Sequence, residues 1–512
     1  MRMSSSEASA DPQAATTFPQ FVRAAATAYG NDPAVTLQRA GLPDQTISFA
    51  EIDSQSARLA CALIARSAGK GTRIGFIMGN GPDFAVSLAA IARIGAIAIP
   101  VSTVSRANEL VRILRQSDIA GLIVQRSLLG KDYIARLCEA APALQAGTTP
   151  KLRLPELPYL RWIASTGEAL PASVLPLDQL LAEGENIDEA LLRAIEAEVH
   201  PSDQMIEVYT SGSMALPKGV RHNHGPILFR TSFLRGKLSI QRGGVNSAAI
   251  PMFWIGGLMM TLLPNWAAGA TTLCTEGTSP NSRFAQGTVL AEEDLKLRRN
   301  ASIHWALGMT ETLGPYAWGD ELRAEGYPLC PPLDHIADRY EVRVAQDGKP
   351  APEGVTGEIQ IRGYALTPGL HKIERSEHFE PDGFYRTGDL GVVEGRRIHF
   401  VGRNADMIKT ARSNVSPAEV EMEMLRLEGV HSAYVLGLPD AERGQIVVAA
   451  VVPREGMDLD FIAMEHTLRA NLSSFKVPRA FVAIARNEVP MLVSNKVAKR
   501  ELAAMVAARL GR

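Results

Sequence analysis

Cysteine is scarce. The four in the chain, Cys61, Cys138, Cys274 and Cys330, lie far apart and never in C-x-x-C spacing, which argues against a disulfide framework or a zinc site and fits a reducing compartment. Charge of one sign is also lacking. Fifty-three basic and fifty-five acidic side chains leave a formal charge of −2 over 512 residues, so bulk charge gives no reason to expect nucleic acid as a partner. The first sixteen residues are small and polar with no apolar h-region, and they read as a disordered tail, not a secretory signal. The longest apolar stretches, near residues 84–100 and 252–270, are broken by Gly, Pro or polar residues and fall short of a membrane span. Internal repeats are missing. A cytoplasmic protein is expected.

What is present is an ordinary globular composition, 46% apolar and 21% charged, with a helix-and-strand alternation along the first quarter. Residues 49–65, 84–94 and 107–117 carry apolar positions at helical spacing, and residues 73–78, 96–101 and 121–124 are short apolar strands. That alternation predicts parallel β-α-β layers. One further helix is expected over 187–199. Beyond residue 354, strands are expected at 357–363 and 397–401. A fresh α+β unit then starts after Gly402, with helices over 417–426 and 461–470 and strands over 432–437, 446–453 and 481–484.

The most informative stretch is Val208-Tyr-Thr-Ser-Gly-Ser-Met-Ala-Leu-Pro-Lys-Gly-Val220. Hydroxyls beside a glycine, with a lysine close behind, suit a loop that holds polyphosphate through N–H and O–H donors and an ammonium. It is not a Walker loop, because Pro217 precedes Lys218 and Gly219 follows it. Alone, such a cluster is ordinarily a turn. Downstream come Gly308-Met-Thr-Glu-Thr312, Tyr385-Arg-Thr-Gly-Asp389, Gly402-Arg-Asn-Ala-Asp-Met-Ile-Lys409, Asn414-Val-Ser-Pro-Ala-Glu-Val-Glu421 and Ser494-Asn-Lys-Val-Ala-Lys-Arg-Glu-Leu502. Each is weak by itself: a T-E pair is usually a helix cap, T-G-D a turn and K-x-x-K-R a solvated face.

Six motifs in this order resemble the adenylate-forming (AMP-binding) superfamily, of the acyl-CoA synthetase or acid–CoA ligase type, over nearly the whole chain. The resemblance implies an α/β fold: a large N-terminal domain of layered α/β sheets plus a small mobile α+β C-terminal domain. It assigns residues 1–16 to the tail, 17–402 to the adenylating domain, 403–406 to a hinge and 407–512 to the mobile domain. It also implies ATP, Mg²⁺ and CoA, with a small carboxylic acid activated as its adenylate and then transferred to CoA. Neither nucleic acid nor a membrane span enters the reading, and a homodimer is left open.

Carried over residue by residue, Thr210, Ser211, Gly212, Ser213 and Lys218 would hold the β- and γ-phosphates. Gly308, Met309, Thr310 and Glu311 would flank the nucleotide, with Thr310 on the α-phosphate and Glu311 on Mg²⁺, whose preference is for oxygen ligands. Asp389 would take the ribose hydroxyls beside Arg403, and Lys496 would swing in during adenylation. Thr310, Glu311 and Lys496 make up the catalytic set. Phe253, Trp254, Gly256 and Gly257 fall in the segment that lines the acyl pocket. With Met252, Met259 and Met260 nearby they suit an apolar fatty, aromatic or polycyclic acid, or simply fill the core. Ala411 and Arg412 would border the CoA path. His222 and His224, in R-H-N-H-G, have no carboxylate or cysteine at ligand spacing, so a surface loop is expected there.

The chain departs from the superfamily pattern between Gly269 and Gly308, where only about forty residues stand in place of a full run of strands and helices. Met214 and Ala215 replace the usual Thr and Gly, Ala405 stands where Asp or Lys is usual, and Asn495 replaces a glycine. Two alternatives to the ligase therefore stay open. One is an impaired or non-catalytic homologue with a truncated adenine-binding lobe. The other is an acyl-AMP ligase that serves a carrier protein.

Overall fold

Strands that are apolar at every position must be covered on both faces, and Ile97–Pro100, Gly121–Val124 and Trp162–Ser165 are buried at all four positions. In the computed structural model they lie inside a seven-stranded sheet. Its order is Lys218–Asn223, Gln204–Thr210, Ile97–Pro100, Arg73–Ile77, Gly121–Val124, Trp162–Ser165 and Leu175–Pro176. Neighbours run parallel except for Lys218–Asn223, which turns back antiparallel on Gln204–Thr210. The structure describes residues 11–103, 105, 107–128, 130–210, 217–276, 305–319, 332–395, 397–410, 413–415, 417–440, 443–472, 476–492 and 497–511.

The chain forms two units. The first comprises Met1–Ser302, Gly308–Pro315 and Tyr364–Arg375, and the second Ile303–Leu307, Tyr316–Gly363 and Ser376–Arg512. In the first, the helices Phe49–Ala65, Pro82–Arg93 and Ala107–Gln116 fall where the periodicity puts them. Phe49–Ala65 starts at a reciprocal cap: the Ser48 hydroxyl accepts from Glu51 N–H, and the Glu51 carboxylate accepts from Ser48 N–H. A second sheet, Val245–Ser247, Thr271–Thr275, Pro33–Gln38 and Gln45–Ser48, joins Pro33–Gln38 to Thr271–Thr275 in parallel across more than two hundred residues. Sequence periodicity gave no sign of it. Within the stretch read as a tail, Pro12–Ala14 form one 3₁₀ turn capped by the Asp11 carboxylate.

A buried ionic knot ties four helices of this unit. The Arg93 guanidinium, 1% exposed, meets Glu196 Oε1 at 2.6 Å, Asp53 Oδ1 at 2.9 Å and Ser56 Oγ at 2.7 Å. Glu196, on helix Glu189–Ala197, also takes Arg23 of helix Phe18–Tyr29. Full hydrogen bonding is what makes such burial of charge tolerable.

The second unit holds a five-stranded antiparallel sheet, ordered Lys349–Pro350, Tyr340–Gln346, Gly357–Gly363, Tyr385–Glu394 and Arg397–Arg403. A short 3₁₀ turn, Asn404–Asp406, follows the last strand directly. Beyond it comes the α+β sheet of Ser413–Val415, Ile408–Thr410, Gly444–Pro453 and Val430–Asp440, with Ala480–Ala483 parallel to Gly444–Pro453. Alternate residues of Gly444–Pro453 feed two cores. Val447, Ala449 and Val451 pack with Val420, Met424, Met464 and Leu468, while Ile446, Val448, Ala450 and Val452 pack with Leu502 and Val506. The period of two is the reason one strand serves both faces. Leu502 and Val506 belong to the helix Lys499–Arg509. The motif reading covered only its start, and its Lys499 ammonium pairs with Asp406 at 3.0 Å.

Candidate functional site

In the first unit the antiparallel register sets Thr210 opposite Lys218, so the two expected phosphate contacts at either end of the connection 211–217 are brought together. The hairpin lies at the carboxyl end of Gln204–Thr210, where open α/β sheets bind ligands. Ser211, Gly212 and Ser213, with Met214 and Ala215, lie outside the described residues. Gly219 answers to packing: a Cβ there would sit 2.6 Å from Glu207 Oε1 and 2.9 Å from the Tyr209 ring. Glu207 is fully buried, paired with Arg73, and accepts from the Tyr209 hydroxyl at 2.6 Å.

Gly308 and Met309 end the strand Trp305–Met309, and Thr310 and Glu311 follow in the turn. The T-E pair opens a single 3₁₀ turn, Thr310–Thr312, not a longer helix. Thr312 Oγ1 accepts from Met309 N–H at 3.1 Å and donates to the Gly314 carbonyl at 2.7 Å. Leu313 and Gly314 both adopt positive φ, 53° and 94°, which reverses the chain. Gly308 is needed because a Cβ would lie 2.7 Å from the Gly314 carbonyl carbon. The turn is held from outside at consecutive carbonyls: Thr310 C=O accepts from His222 Nε2 at 2.8 Å, and Glu311 C=O from Thr367 N–H at 2.8 Å.

Both histidines contradict the surface-loop expectation. His222 is fully buried within strand Lys218–Asn223, and His224, equally buried, opens helix His224–Lys237. The polar sequence R-H-N-H-G suggests a loop, but strand alternation turns Val220 and His222 inward together. His224 Nδ1 accepts from Phe18 N–H at 3.1 Å, at the start of a helix where N–H groups lack intrahelical partners. Burial pulls both imidazoles down to about 4. The unfolded chain therefore binds protons that the folded chain refuses between about pH 6.5 and pH 4, and stability must fall as pH falls through that window. For His224 a shift of this size corresponds to about 3 kcal/mol. Urea unfolding of wild type and His224→Gln from pH 7 to 4 should give a shallower acid decline in the variant; parallel declines would refute the assignment.

Sequence reading missed the loop Tyr364–Arg375, although Thr367-Pro-Gly369 is a turn signal. Leu370 bridges Val220, His371 N–H donates to the Gly219 carbonyl at 2.8 Å, and Thr367 Oγ1 donates to the Arg221 carbonyl at 2.8 Å. This loop backs the strand that carries Lys218 and His222.

In the segment expected to line an acyl pocket, Met252, Phe253 and Met259 are buried, and Trp254, half-buried, meets Phe253 edge to face at 5.2 Å. Asn80 fixes the segment, donating to the Ile250 carbonyl at 3.1 Å and accepting from Met252 N–H at 2.8 Å. One π-helical turn, Leu258–Leu262, follows, a distortion frequent at functional sites. Gly256 meets only the Ile250 side chain, whereas a Cβ at Gly257 would collide with the Pro251 carbonyl oxygen. Gly257→Ala should therefore cost about 1–3 kcal/mol in denaturant unfolding, while Gly256→Ala should be nearly neutral. Equal losses would contradict this packing.

In the second unit, T-G-D is a bulge inside strand Tyr385–Glu394, not a free turn. Glu358 faces Leu390 and Gln360 faces Arg386, so three residues oppose one. Gly388, at φ 74°, makes the bulge, and its N–H donates to Glu358 Oε1 at 2.8 Å. Asp389 lies opposite Arg403, whose Nε donates to Oδ1 at 3.0 Å. Burial pushes the Asp389 carboxyl up, and Arg403 opposes the shift. Lys496, Ala411 and Arg412 lie outside the described residues.

A family model described as AMP-binding enzyme matches residues 22–293, and one described as AMP-binding enzyme C-terminal domain matches residues 419–496. The 4-chlorobenzoate–CoA ligase of an Arthrobacter species is 26% identical over 89% of each chain. The indoleacetate–CoA ligase of Aromatoleum aromaticum is 25% identical over 93% of this chain and 96% of its own. Among solved structures, an anthranilate CoA ligase in complex with anthranoyl-AMP superposes with TM-score 0.74 at 18% identity, covering 96% of this chain and 98% of that one. O-succinylbenzoate coenzyme A synthetase from Bacillus subtilis, with ATP and magnesium, gives 0.72 at 21% identity over 94% and 98%.

Proposed function

The chain belongs to the AMP-binding enzyme family, and from that premise we propose that it activates an apolar carboxylic acid with ATP and transfers the acyl group to CoA. A carboxylate is resonance-stabilised and a poor electrophile. Its oxygen attacks the α-phosphorus, the bond to pyrophosphate breaks, and an acyl-adenylate forms. The CoA thiolate then attacks the acyl carbon, the bond to AMP breaks, and the thiol proton passes to solvent. Positioning and charge neutralisation account for most of such catalysis.

One observation carries the reading. Thr210 and Lys218 close the hairpin, and four residues along the same strand His222 grips the Thr310–Glu311 turn, a span of about 13 Å at the rise of a strand. That span leaves room for a triphosphate chain between the lysine and the turn. Glu311 would hold Mg²⁺ together with phosphate oxygens and water, a normal arrangement for this ion. Among the described residues no group of three or more His, Cys, Asp or Glu is placed to hold a metal ion. Mg²⁺ would supply neutralisation of phosphate charge. Asp389 with Arg403 would take the ribose, and Lys496 would reach the phosphates when the 407–512 domain turns about residues 403–406.

An aromatic or other apolar acid is favoured by the Phe253–Trp254 pair and by relatives that act on chlorobenzoate and indoleacetate. A cytoplasmic location would supply ATP and CoA, and no helix among the described residues is long and apolar enough to cross a membrane.

The test is incubation with Mg·ATP and a panel of benzoates, arylacetates and fatty acids, with hydroxylamine to trap the adenylate and Lys496→Ala as control. Acid-dependent hydroxamate is expected with at least one aromatic acid, and thioester once CoA is added. Without hydroxamate from any acid the protein would be a non-catalytic homologue. Hydroxamate without thioester would point to a carrier protein as acceptor.

A further inference from the structure

We propose that His222 is a positioning residue for the nucleotide, fixing the Thr310–Glu311 turn at a set distance from Lys218. The inference rests on the adenylating role just proposed and adds a residue to it. Its basis is geometric. A carbonyl oxygen can only accept, so the 2.8 Å contact to Thr310 requires the proton on Nε2. Nδ1 then keeps a lone pair, is buried and has no hydrogen-bond partner among the described residues. Among the described residues the imidazole has one polar engagement, and it is with the main chain of the turn.

A packing residue would not need that contact. Val220, two residues earlier on the same inward row, is apolar and fully buried, so a leucine or valine would fill the row without leaving a nitrogen unsatisfied. What the imidazole adds is a donor aimed at one carbonyl, on a strand whose first residue is Lys218. The Glu311 carbonyl, next in the turn, is held by Thr367 N–H, and the Thr367 hydroxyl bonds the Arg221 carbonyl beside His222. Two struts from one strand, one direct and one through Thr367, therefore fix consecutive peptides of the turn. Side chains of Thr310 and Glu311 then project from a backbone that cannot pivot. Catalytic groups lose rate steeply when displaced by about an ångström.

His224 supplies the matched control. It is as deeply buried, two residues away, and its bond runs to Phe18 instead of to the turn. The experiment compares His222→Gln, His222→Asn, His222→Leu and His224→Leu in the full chain. It measures kcat and KM for Mg·ATP in the hydroxamate assay, the Kd for Mg·ATP by calorimetry, and the thermal midpoint by circular dichroism. The glutamine amide reaches the place of Nε2 and should keep kcat/KM for Mg·ATP within about threefold of wild type. Asparagine, too short, and leucine, without a donor, should lower it by about tenfold to a hundredfold, with KM for the acid unchanged. His224→Leu should lower the thermal midpoint but leave kcat/KM for Mg·ATP within about threefold. Asparagine provides the reading if leucine does not fold.

The proposal is overturned if asparagine or leucine at 222 matches wild type, if glutamine is as impaired as leucine, or if His224→Leu shows the same kinetic loss. A wild type that makes no hydroxamate but binds Mg·ATP in a His222-dependent way would sink the proposed activity and keep this inference. Normal hydroxamate formation by His222→Leu would do the reverse. A wild type that binds no Mg·ATP would sink both.

Discussion

Arg93→Ala is expected to lower the free energy of unfolding by about 3–5 kcal/mol, the usual cost of breaking a buried charge pair from one side. The guanidinium is 1% exposed and bonds Glu196, Asp53 and Ser56. Its removal leaves one oxygen of a buried carboxylate without its partner, because Arg23 engages the other oxygen of Glu196. Helix Pro82–Arg93 packs on strand Ile97–Pro100, the parallel neighbour of Gln204–Thr210, so the loss should spread to the nucleotide hairpin. Urea denaturation followed by circular dichroism reads it directly. Arg93→Met with Glu196→Leu should recover much of the loss, since an apolar pair leaves no uncompensated charge. A single variant within about 0.5 kcal/mol of wild type would show that the knot contributes nothing net.

Lys496→Ala is expected to slow adenylate formation by about 10²–10³-fold, the range for removing one donor aimed at developing charge in a water-excluded site. The C-terminal family match ends on this residue. Negative charge builds on the departing pyrophosphate and the α-phosphate as the P–O bond breaks, so an ammonium placed there acts on that step. Thioester formation from synthetic acyl-adenylate and CoA involves no pyrophosphate, and the variant should keep it within a few-fold. Equal losses in the two half-reactions would remove Lys496 from the adenylation step.

Local periodicity was legible. Helix Phe49–Ala65, with its Ser48–Glu51 cap, and strand Gly121–Val124 fall where the pattern puts them, because neighbouring residues decide both. The same holds for strand Gly357–Gly363 and helix Phe461–Asn471. The second sheet was not legible, since Pro33–Gln38 finds Thr271–Thr275 only through the fold. T-G-D looked like a turn because a glycine at φ 74° makes a bulge with the same residues that make a turn. His222 and His224 looked exposed because polarity outweighed an alternation only two positions long.

By itself the sequence determined the order of the motifs, the kind of many elements and hence the family, since these depend on residue chemistry and on neighbours within a few positions. Tertiary structure alone decided that an imidazole would be buried against the Thr310 carbonyl, that Thr367 would hold the next one, and that Asp389 would sit opposite Arg403 across a bulge. Those facts join segments as much as ninety residues apart, and no local pattern carries the distance between two strands before they pair.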